Sequence, residues 1–520
     1  AALQATLRLI LLLSSWGLVS ASPLDLARTF GLGLAYDAVA GFCYVLPLAL
    51  TLFLLPARWL NRRRGRWLAG AATFLMNVFA LLAAAAQFLF WQEFHANFNF
   101  IAVDYLVYTT EVLGNIWQSY NMGAILTVVL LAAAALTALQ MKRLRRGIAP
   151  LFSRRRPLRA PAFLLAAVLP AALGCSLTDS RWRNFVSENN YNVELAGNGM
   201  YELLHSFFAN ELDYPSFYTT RESGTVMGEL REALRAPNSW YLSGDGVARR
   251  VVNGGPLATL EVNVVMVVEE SLGADFCGAF GAEKSWTPCL DALAAKSYRF
   301  ANMYATGTRT VRGLEALTLS VPPTPGQSIL RRPDCGGLGN LAAALGENGY
   351  VSDFWYGGYG YFDNMNEFFR SNGYEVHDRT DIPGEEIFSS TVWGVADEIL
   401  FSQALKTIDA RCARGEKFFE LIMTTSNHRP YTFPEKRVDA PQGEREGACR
   451  YADWAVGDFL RRAAEKEWFR NTVFVIVADH QASSAGHTAL PVHRYHIPCL
   501  IYAPGLIAPG ECRRLISQMD

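Results

Sequence analysis

The apolar residues of this chain are unevenly placed, and that unevenness limits its fold more than any single motif. The first third carries five apolar runs, at about 7–20, 39–55, 67–91, 122–139 and 160–177. They approach or exceed the ~18 residues needed to cross a hydrocarbon core of ~30 Å. A cleaved signal peptide is the rival reading of the first run; because further runs follow, a membrane anchor is the expectation. Arg58, Arg62, Arg63, Arg64 and Arg66 separate the second run from the third. Lys142, Arg143, Arg145, Arg146, Arg154, Arg155, Arg156 and Arg159 separate the fourth from the fifth. Basic loops stay on the cytoplasmic side, so everything after the fifth run is expected outside. Between the third and fourth runs, residues 92–120 mix Phe94, Phe98, Phe100, Tyr105, Tyr108 and Trp117 with polar residues. That suits an interfacial helix, either as a seat for a lipid substrate or as packing.

At 520 residues the chain exceeds one ordinary domain. Its 47 basic and 48 acidic residues give no nucleic-acid footprint. It starts at Ala1 and stops without an evident terminator, which reads as a chain trimmed at both ends. Residues 178–260 are polar, with helical stretches at 194–209 and 226–234, and read as a connector. Short β-branched and aromatic runs then recur at 263–268, 350–355, 418–423 and 473–477, with helical patterns at 338–347, 392–408 and 451–463 between them. Strands alternating with helices indicate a mostly parallel sheet. The expected organisation is a five-helix transmembrane domain over 1–177, a connecting segment over 178–260 and an α/β domain over 261–520.

In such sheets chemistry collects beyond the carboxyl ends of the strands. The first strand ends in Glu269 and Glu270; adjacent strand residues face opposite ways, so one of the two belongs to the edge. The last strand ends in Asp479 and His480, both good ligands for a divalent ion. Residues 304–315, Tyr-Ala-Thr-Gly-Thr-Arg-Thr-Val-Arg-Gly-Leu-Glu, put threonines, arginines and glycines ahead of a helical pattern. Backbone N–H groups at a helix start favour a phosphate, and a metal-activated Thr there is a nucleophile; the plainer role is an N-cap by Thr308 or Thr310. His428 follows the third strand, placed to bind a phosphoryl oxygen or act as general acid. With His480, His487, His493 and His496, five of the chain's 8 His fall near this edge. Of nine cysteines, seven lie in the α/β part; Cys277 with Cys289 and Cys412 with Cys449 are plausible disulfides, although spacing does not fix connectivity.

Four ordered stretches carry a resemblance: Asn-Val-Val-Met-Val-Val-Glu-Glu-Ser, Tyr-Ala-Thr-Gly-Thr-Arg-Thr-Val-Arg-Gly, Ser-Asn-His-Arg-Pro-Tyr and Val-Ala-Asp-His. Together with the membrane topology, they resemble the lipoteichoic acid synthase-like, phosphoglycerol transferase branch of the alkaline phosphatase/sulfatase superfamily, in its Gram-negative form. The resemblance implies a metal site of Glu270, Thr310, Asp479 and His480 holding Mn2+ or another divalent ion such as Mg2+ or Zn2+. Thr310 is then the nucleophile, chosen over Thr308 by its spacing to Gly313, and His428 is catalytic and substrate-binding. Arg309, Arg312, Asn364 and His493 are expected to bind substrate. The Trp-Asn-Arg phosphate-binding segment of Gram-positive polymerases has its nearest counterpart at Phe362-Asp363-Asn364, which lacks the Arg. The implied reaction moves a phosphoglycerol headgroup from phosphatidylglycerol to a glycan or polyol-phosphate acceptor through a phospho-threonine. The implied setting is the periplasmic face of the inner membrane, among membrane lipids. Alternatives are a phosphoethanolamine transferase acting on lipid A or a glycan, and a non-catalytic lipid or glycan sensor.

Overall fold

The computed structural model describes residues 1–54, 62–147, 159–209, 215, 218–242, 244, 246–252 and 261–520. Arg58, Arg154, Arg155 and Arg156 of the basic loops lie outside the described residues. The chain forms two compact units, one of residues 1–210 and 483–494 and one of 211–482 and 495–520. The first unit therefore takes in the first part of the expected connector, to residue 210, and a short return segment from the C-terminal part.

The first unit is helical. In chain order it contains α1 (Ala2–Ser14), α2 (Pro23–Leu54), α3 (Arg63–Phe94), α4 (Phe100–Val107), α5 (Thr109–Ser119), α6 (Met122–Gly147), α7 (Arg159–Leu177), α8 (Asn190–Ala196) and α9 (Gly199–Ala209). Among the described residues, three stretches are long and apolar enough to cross a membrane: Pro23–Pro47, Arg63–Phe94 and Met122–Lys142. Ala2–Ser14 and Leu164–Leu177 are shorter apolar helices. These apolar helices leave Leu75, Phe79, Val128 and Leu131 exposed, which suits a protein solvated by lipid.

Helix α2 starts well before the apolar run at 39–55 because its first half is partly polar. Asp37 is buried there and receives Arg8 of α1 in a two-pronged pair, at 2.8 and 2.9 Å. The remaining Arg8 donors reach the carbonyls of Gly33, Leu195 and Gly197. A buried ion pair is tolerated when every polar atom is matched, as here. It ties α1, α2 and the α8–α9 turn together. The helical stretch expected over 194–209 is broken at Gly197 and Asn198, giving two helices. The expected interfacial stretch becomes α4 and α5, with Leu106, Val107, Leu113 and Trp117 exposed.

The second unit is built on an eight-stranded sheet: β1 (Asn263–Glu269), β2 (Tyr298–Phe300), β3 (Tyr350–Tyr356), β4 (Glu375–His377), β5 (Lys417–Met423), β6 (Thr472–Ala478), β7 (Cys499–Tyr502) and β8 (Gly510–Cys512). Their spatial order is β8-β2-β7-β6-β1-β5-β3-β4. The five strands from β6 to β4 are parallel, while β7 runs antiparallel to both β6 and β2. The four strands read from sequence are β1, β3, β5 and β6. They are the long central ones, and their apolar runs are covered on both faces, as parallel sheets require. Val265, Val267, Phe418, Phe419, Leu421, Phe474 and Ile476 are essentially inaccessible. The other four strands were missed because three or four residues carry no periodicity. Helices α10 (Thr310–Leu319), α11 (Asp397–Ala413) and α12 (Arg445–Ala463) follow. α11 and α12 pack through Phe401 on Phe459, ring centroids 4.8 Å apart. The helix expected from 392 starts at Asp397, because residues 391–396 loop back to hydrogen-bond Gly357 through Val395.

All nine cysteines are free thiols. The two expected disulfides are not formed: Cys277 and Cys449 are buried in the core, and Cys289 packs on Gly457.

Candidate metal and nucleophile site

The site lies one residue beyond the paired ends of β1 and β6. Their register couples Val268 with Val477 and Glu269 with Ala478, so Glu270 and Asp479 leave the sheet side by side. Glu270, Asp479 and His480 are all buried, and one ligand atom from each lies within 4.8 Å of the others. His480 Nε2 is 3.4 Å from Asp479 Oδ2 and 3.8 Å from Glu270 Oε1. The ring is oriented by its other nitrogen, 2.8 Å from the Gln481 carbonyl. A carbonyl only accepts, so Nδ1 carries the proton and Nε2 turns its lone pair toward the two acids.

Thr310 is the first residue of α10, and its hydroxyl donates to Glu270 Oε2 at 3.2 Å. The helix can come this close because residue 313 is glycine. A Cβ on Gly313 would lie 2.3 Å from the Asp479 carbonyl oxygen. Gln518 holds that strand end from another direction, donating to the carbonyls of Ala478 and Asp479. Ser271 completes the arrangement: its hydroxyl donates to Glu270 at 2.6 Å and its N–H to Asp479 Oδ1 at 2.8 Å. It does so at φ 53°, a left-handed conformation disfavoured for a non-glycine residue. Thr424 accepts from the Glu270 N–H, and Asn427 donates to the Glu270 carbonyl. None of Ser271, Asn427 or Gln518 was singled out in the sequence, although Ser271 and Asn427 sit inside quoted motifs.

The electrostatics fit a cation. Burial, and then the charge of Asp479, raise Glu270 above the usual carboxylate range, with His480 and His428 opposing. Asp479 Oδ2 is buried and accepts no hydrogen bond. Two crowded carboxylates, an orphaned oxygen and an imidazole lone pair aimed at both are a donor set for a divalent ion. Glu269, by contrast, is pushed far up by burial and then by Asp397 and Asp453, and sits outside the cluster. The face rule thus resolves in favour of Glu270.

His428 is half-buried beside Trp393, ring centroids 4.3 Å apart, with Nδ1 3.1 Å from the Arg429 carbonyl. Arg309 is the N-cap residue of α10, immediately before Thr310. Two expected substrate contacts are engaged elsewhere, and a third is exposed. Arg312 bonds Glu315 at 2.7 Å and the carbonyls of Thr324 and Gly326, pinning a loop. Asn364 donates to the Leu330 carbonyl, and its φ of 60° makes it a turn residue. His493 is exposed on the return segment that groups with the first unit. His487 of that segment packs edge-on against Tyr191, and His496 stacks on Tyr304.

A second acid and imidazole group, Asp353, Glu375 and His377, has metal-like spacing. Arg411 already fills it, with bonds of 2.9 and 2.8 Å to Asp353 and 2.5 Å to Glu375. A guanidinium in the middle makes it an ion-pair network.

Residues 262–520 match the sulfatase family model. Phosphoglycerol transferase I of Xanthomonas campestris pv. campestris (strain B100) is 25% identical over 244 residues, covering 42% of this chain and 34% of that protein. The enzyme of the same name from Salmonella choleraesuis is 24% identical, covering 43% and 31%. Through residues 262–520 the chain belongs to the alkaline phosphatase/sulfatase superfamily. It spans about a third of the length of these curated relatives of the superfamily. Among solved structures of the superfamily, a protein from Vibrio parahaemolyticus is 36% identical, covering 50% of this chain and 64% of that one, with a TM-score of 0.47. The lipoteichoic acid synthase LtaP from Listeria monocytogenes is 21% identical, covering 51% and 70%, with a TM-score of 0.45. Superfamily enzymes use divalent metals, in keeping with the donor set here.

Proposed function

We propose that this chain is a membrane-anchored phosphoglycerol transferase with its α/β unit on the extracytoplasmic side. It takes the headgroup of phosphatidylglycerol and passes it to a glycan or polyol-phosphate hydroxyl. The observation that carries the reading is the Thr310 hydroxyl, held on Glu270 at the start of a helix, with Asp479 and His480 beside it. Glu270, Thr310, Asp479 and His480 would hold the divalent ion, Mn2+ or a chemically similar one. When bound, such an ion supplies Lewis acidity that makes a threonine hydroxyl ionisable near neutral pH.

The remaining steps belong to the chain. Glu270 accepts the hydrogen bond of the Thr310 hydroxyl, takes its proton as the oxygen attacks, and keeps that oxygen aimed at the incoming phosphorus. The Thr310 oxygen bonds to phosphorus as the bond from phosphorus to the diacylglycerol oxygen breaks. That oxygen leaves as a hydroxyl, with His428 as the proton donor. An acceptor hydroxyl then attacks the phospho-threonine, its proton passes to His428, and Thr310 leaves with the proton that Glu270 returns. The backbone N–H groups at the start of α10 favour the phosphoryl oxygens throughout. Two basic loops between apolar helices support the assigned side of the membrane, by the positive-inside rule.

The test is to incubate the purified protein with Mn2+ and labelled phosphatidylglycerol or phosphatidylethanolamine and to follow diacylglycerol. Release from phosphatidylglycerol, lost in Thr310→Ala, is expected. Release from phosphatidylethanolamine alone would make the chain a phosphoethanolamine transferase. No release from either lipid by wild-type protein would favour the sensor reading.

A further inference from the structure

The segment after α7 exposes large apolar side chains on two neighbouring elements. Helix α9 buries its polar residue Glu202, 3% exposed, and stands on the buried Asn198, 1% exposed. It turns Leu204, Phe207 and Phe208 outward, at 53%, 57% and 73%. The 3₁₀ turn Ser180–Phe185 repeats the pattern. Ser180 is buried and Arg183 points inward to Glu194 at 3.2 Å, while Trp182 and Phe185 are 45% and 80% exposed. A helix facing water puts its apolar side inward. Helix α9 packs Met200 and Leu203 inward, and beside the exposed Arg181, Asn184 and His205 the two neighbouring elements still turn five large apolar residues outward, enough for an apolar medium or partner on that side.

Their depth is fixed by the end of α7. Thr178 continues that helix through a 2.9 Å bond from its N–H to the Gly174 carbonyl. The Tyr36 hydroxyl of α2 bonds the Asp179 carbonyl at 2.6 Å, and the Tyr201 hydroxyl of α9 bonds the Thr178 carbonyl at 3.0 Å. Trp182 lies five residues past Leu177; at a 3₁₀ rise of ~2 Å per residue it stays within roughly 10 Å of the end of the helix. That is the depth of a headgroup layer, where Trp and other aromatic residues gather.

Between the two elements opens a cavity of about 580 Å³. It is lined by Ser176, Thr178, Asp179, Arg181 and His205 together with the apolar Leu177 and Trp182. Arg181 is held by Asp179 at 2.7 Å, and His205 Nε2 lies 3.2 Å from the Ser180 hydroxyl. Paired charges with an apolar flank suit a polar headgroup joined to acyl chains.

We infer that Ser180–Phe185 and α9 form an interfacial shelf whose apolar face is immersed in the leaflet at the outer end of α7, and whose cavity receives a glycerophospholipid headgroup. The occupant is lipid because the shelf is continuous with an apolar helix and its exposed residues are those of an interfacial belt. The inference rests on reading the apolar helices as membrane-bound and is independent of the proposed catalysis.

The experiment uses the full chain in phosphatidylcholine–phosphatidylglycerol nanodiscs. One phospholipid probe carries a diazirine near the carbonyl end of an acyl chain, and a second carries it on the headgroup. After irradiation, adducts are mapped by peptide mass spectrometry. Peptides holding Trp182, Phe185, Phe207 and Phe208 are expected to label with the acyl probe within about threefold of the Val128–Leu131 surface of α6. The headgroup probe is expected to label Thr178, Arg181 or His205, and Phe207→Ser/Phe208→Ser to cut labelling of the α9 peptide at least fivefold. Normal labelling of α6 with the shelf tenfold lower would overturn the inference. Loss of labelling on α6 as well would overturn the membrane reading, and the inference with it. Acyl labelling without headgroup labelling of the cavity removes the headgroup assignment.

Discussion

Gly313→Ala tests how Thr310 is delivered to Glu270, Asp479 and His480, the roles proposed above being nucleophile and metal ligands. The added Cβ would stand 2.3 Å from the Asp479 carbonyl oxygen and 2.8 Å from its carbonyl carbon and Cα, against 3.4 Å for ordinary contact. These are backbone atoms at a strand end that Gln518 also grips, so no side chain can swing aside. The clash is relieved only if α10 and Asp479 move apart by about 1 Å. Overpacking of this kind costs roughly 1–3 kcal/mol of stability. A displacement of ~1 Å at a reacting group costs on the order of 100-fold in rate. The 3.2 Å contact between Thr310 and Glu270 is the one expected to open. The variant is expected to stay folded in detergent, to bind Mn2+ at least tenfold more weakly by titration calorimetry, and to release diacylglycerol at about a hundredth of the wild-type rate. A variant with wild-type Mn2+ affinity and turnover would show that α10 is not set by this contact, and would refute the account of the site.

Further outcomes follow from other contacts. Thr310→Ser should retain part of the diacylglycerol release, because it keeps the hydroxyl, whereas Thr310→Ala should retain none, measured under identical Mn2+. Arg411→Met should lower stability by roughly 3–5 kcal/mol in chemical denaturation, since Asp353 and Glu375 would lose their shared cation, and should leave Mn2+ affinity unchanged. Acid stability should also be informative. Burial raises Asp397 and Asp453 to about 6, despite the backbone N–H groups they accept. Their folded pKa values lie above the unfolded value of 3.8, so the folded state binds these protons more tightly. The resulting stabilisation is complete below pH 3.8 and lost as the pH climbs through 6, roughly 3 kcal/mol for each group. Asp397→Asn should flatten that part of the stability–pH curve; an unchanged curve would contradict the assignment. Arg312→Ala should lower the unfolding temperature and leave the KM for lipid unaltered, because its guanidinium is spent on Glu315 and the 324–326 loop.

The sequence by itself determined the elements whose signal is local. Central strands such as Val473–Val477 are contiguous apolar runs, and apolar helices betray themselves by length, so both are legible without a partner. The Asp-His and Glu-Glu pairs were legible as strand ends for the same reason. The tertiary structure decided which residues meet. Ser271 and Asp479 are 208 residues apart, and only the register of β1 on β6 brings them together. That register selected Glu270 over Glu269, and a glycine contact put Thr310 on Glu270. Competition for partners is equally non-local: Arg312 went to Glu315, Asn364 to Leu330, and Arg411 into the second acid cluster. The same holds for the shelf after α7. Its composition reads as an ordinary polar connector, and only the burial of Glu202 with the exposure of Phe208 reveals which way it faces. Periodicity is written along a chain, but pairing energy depends on neighbours that folding supplies.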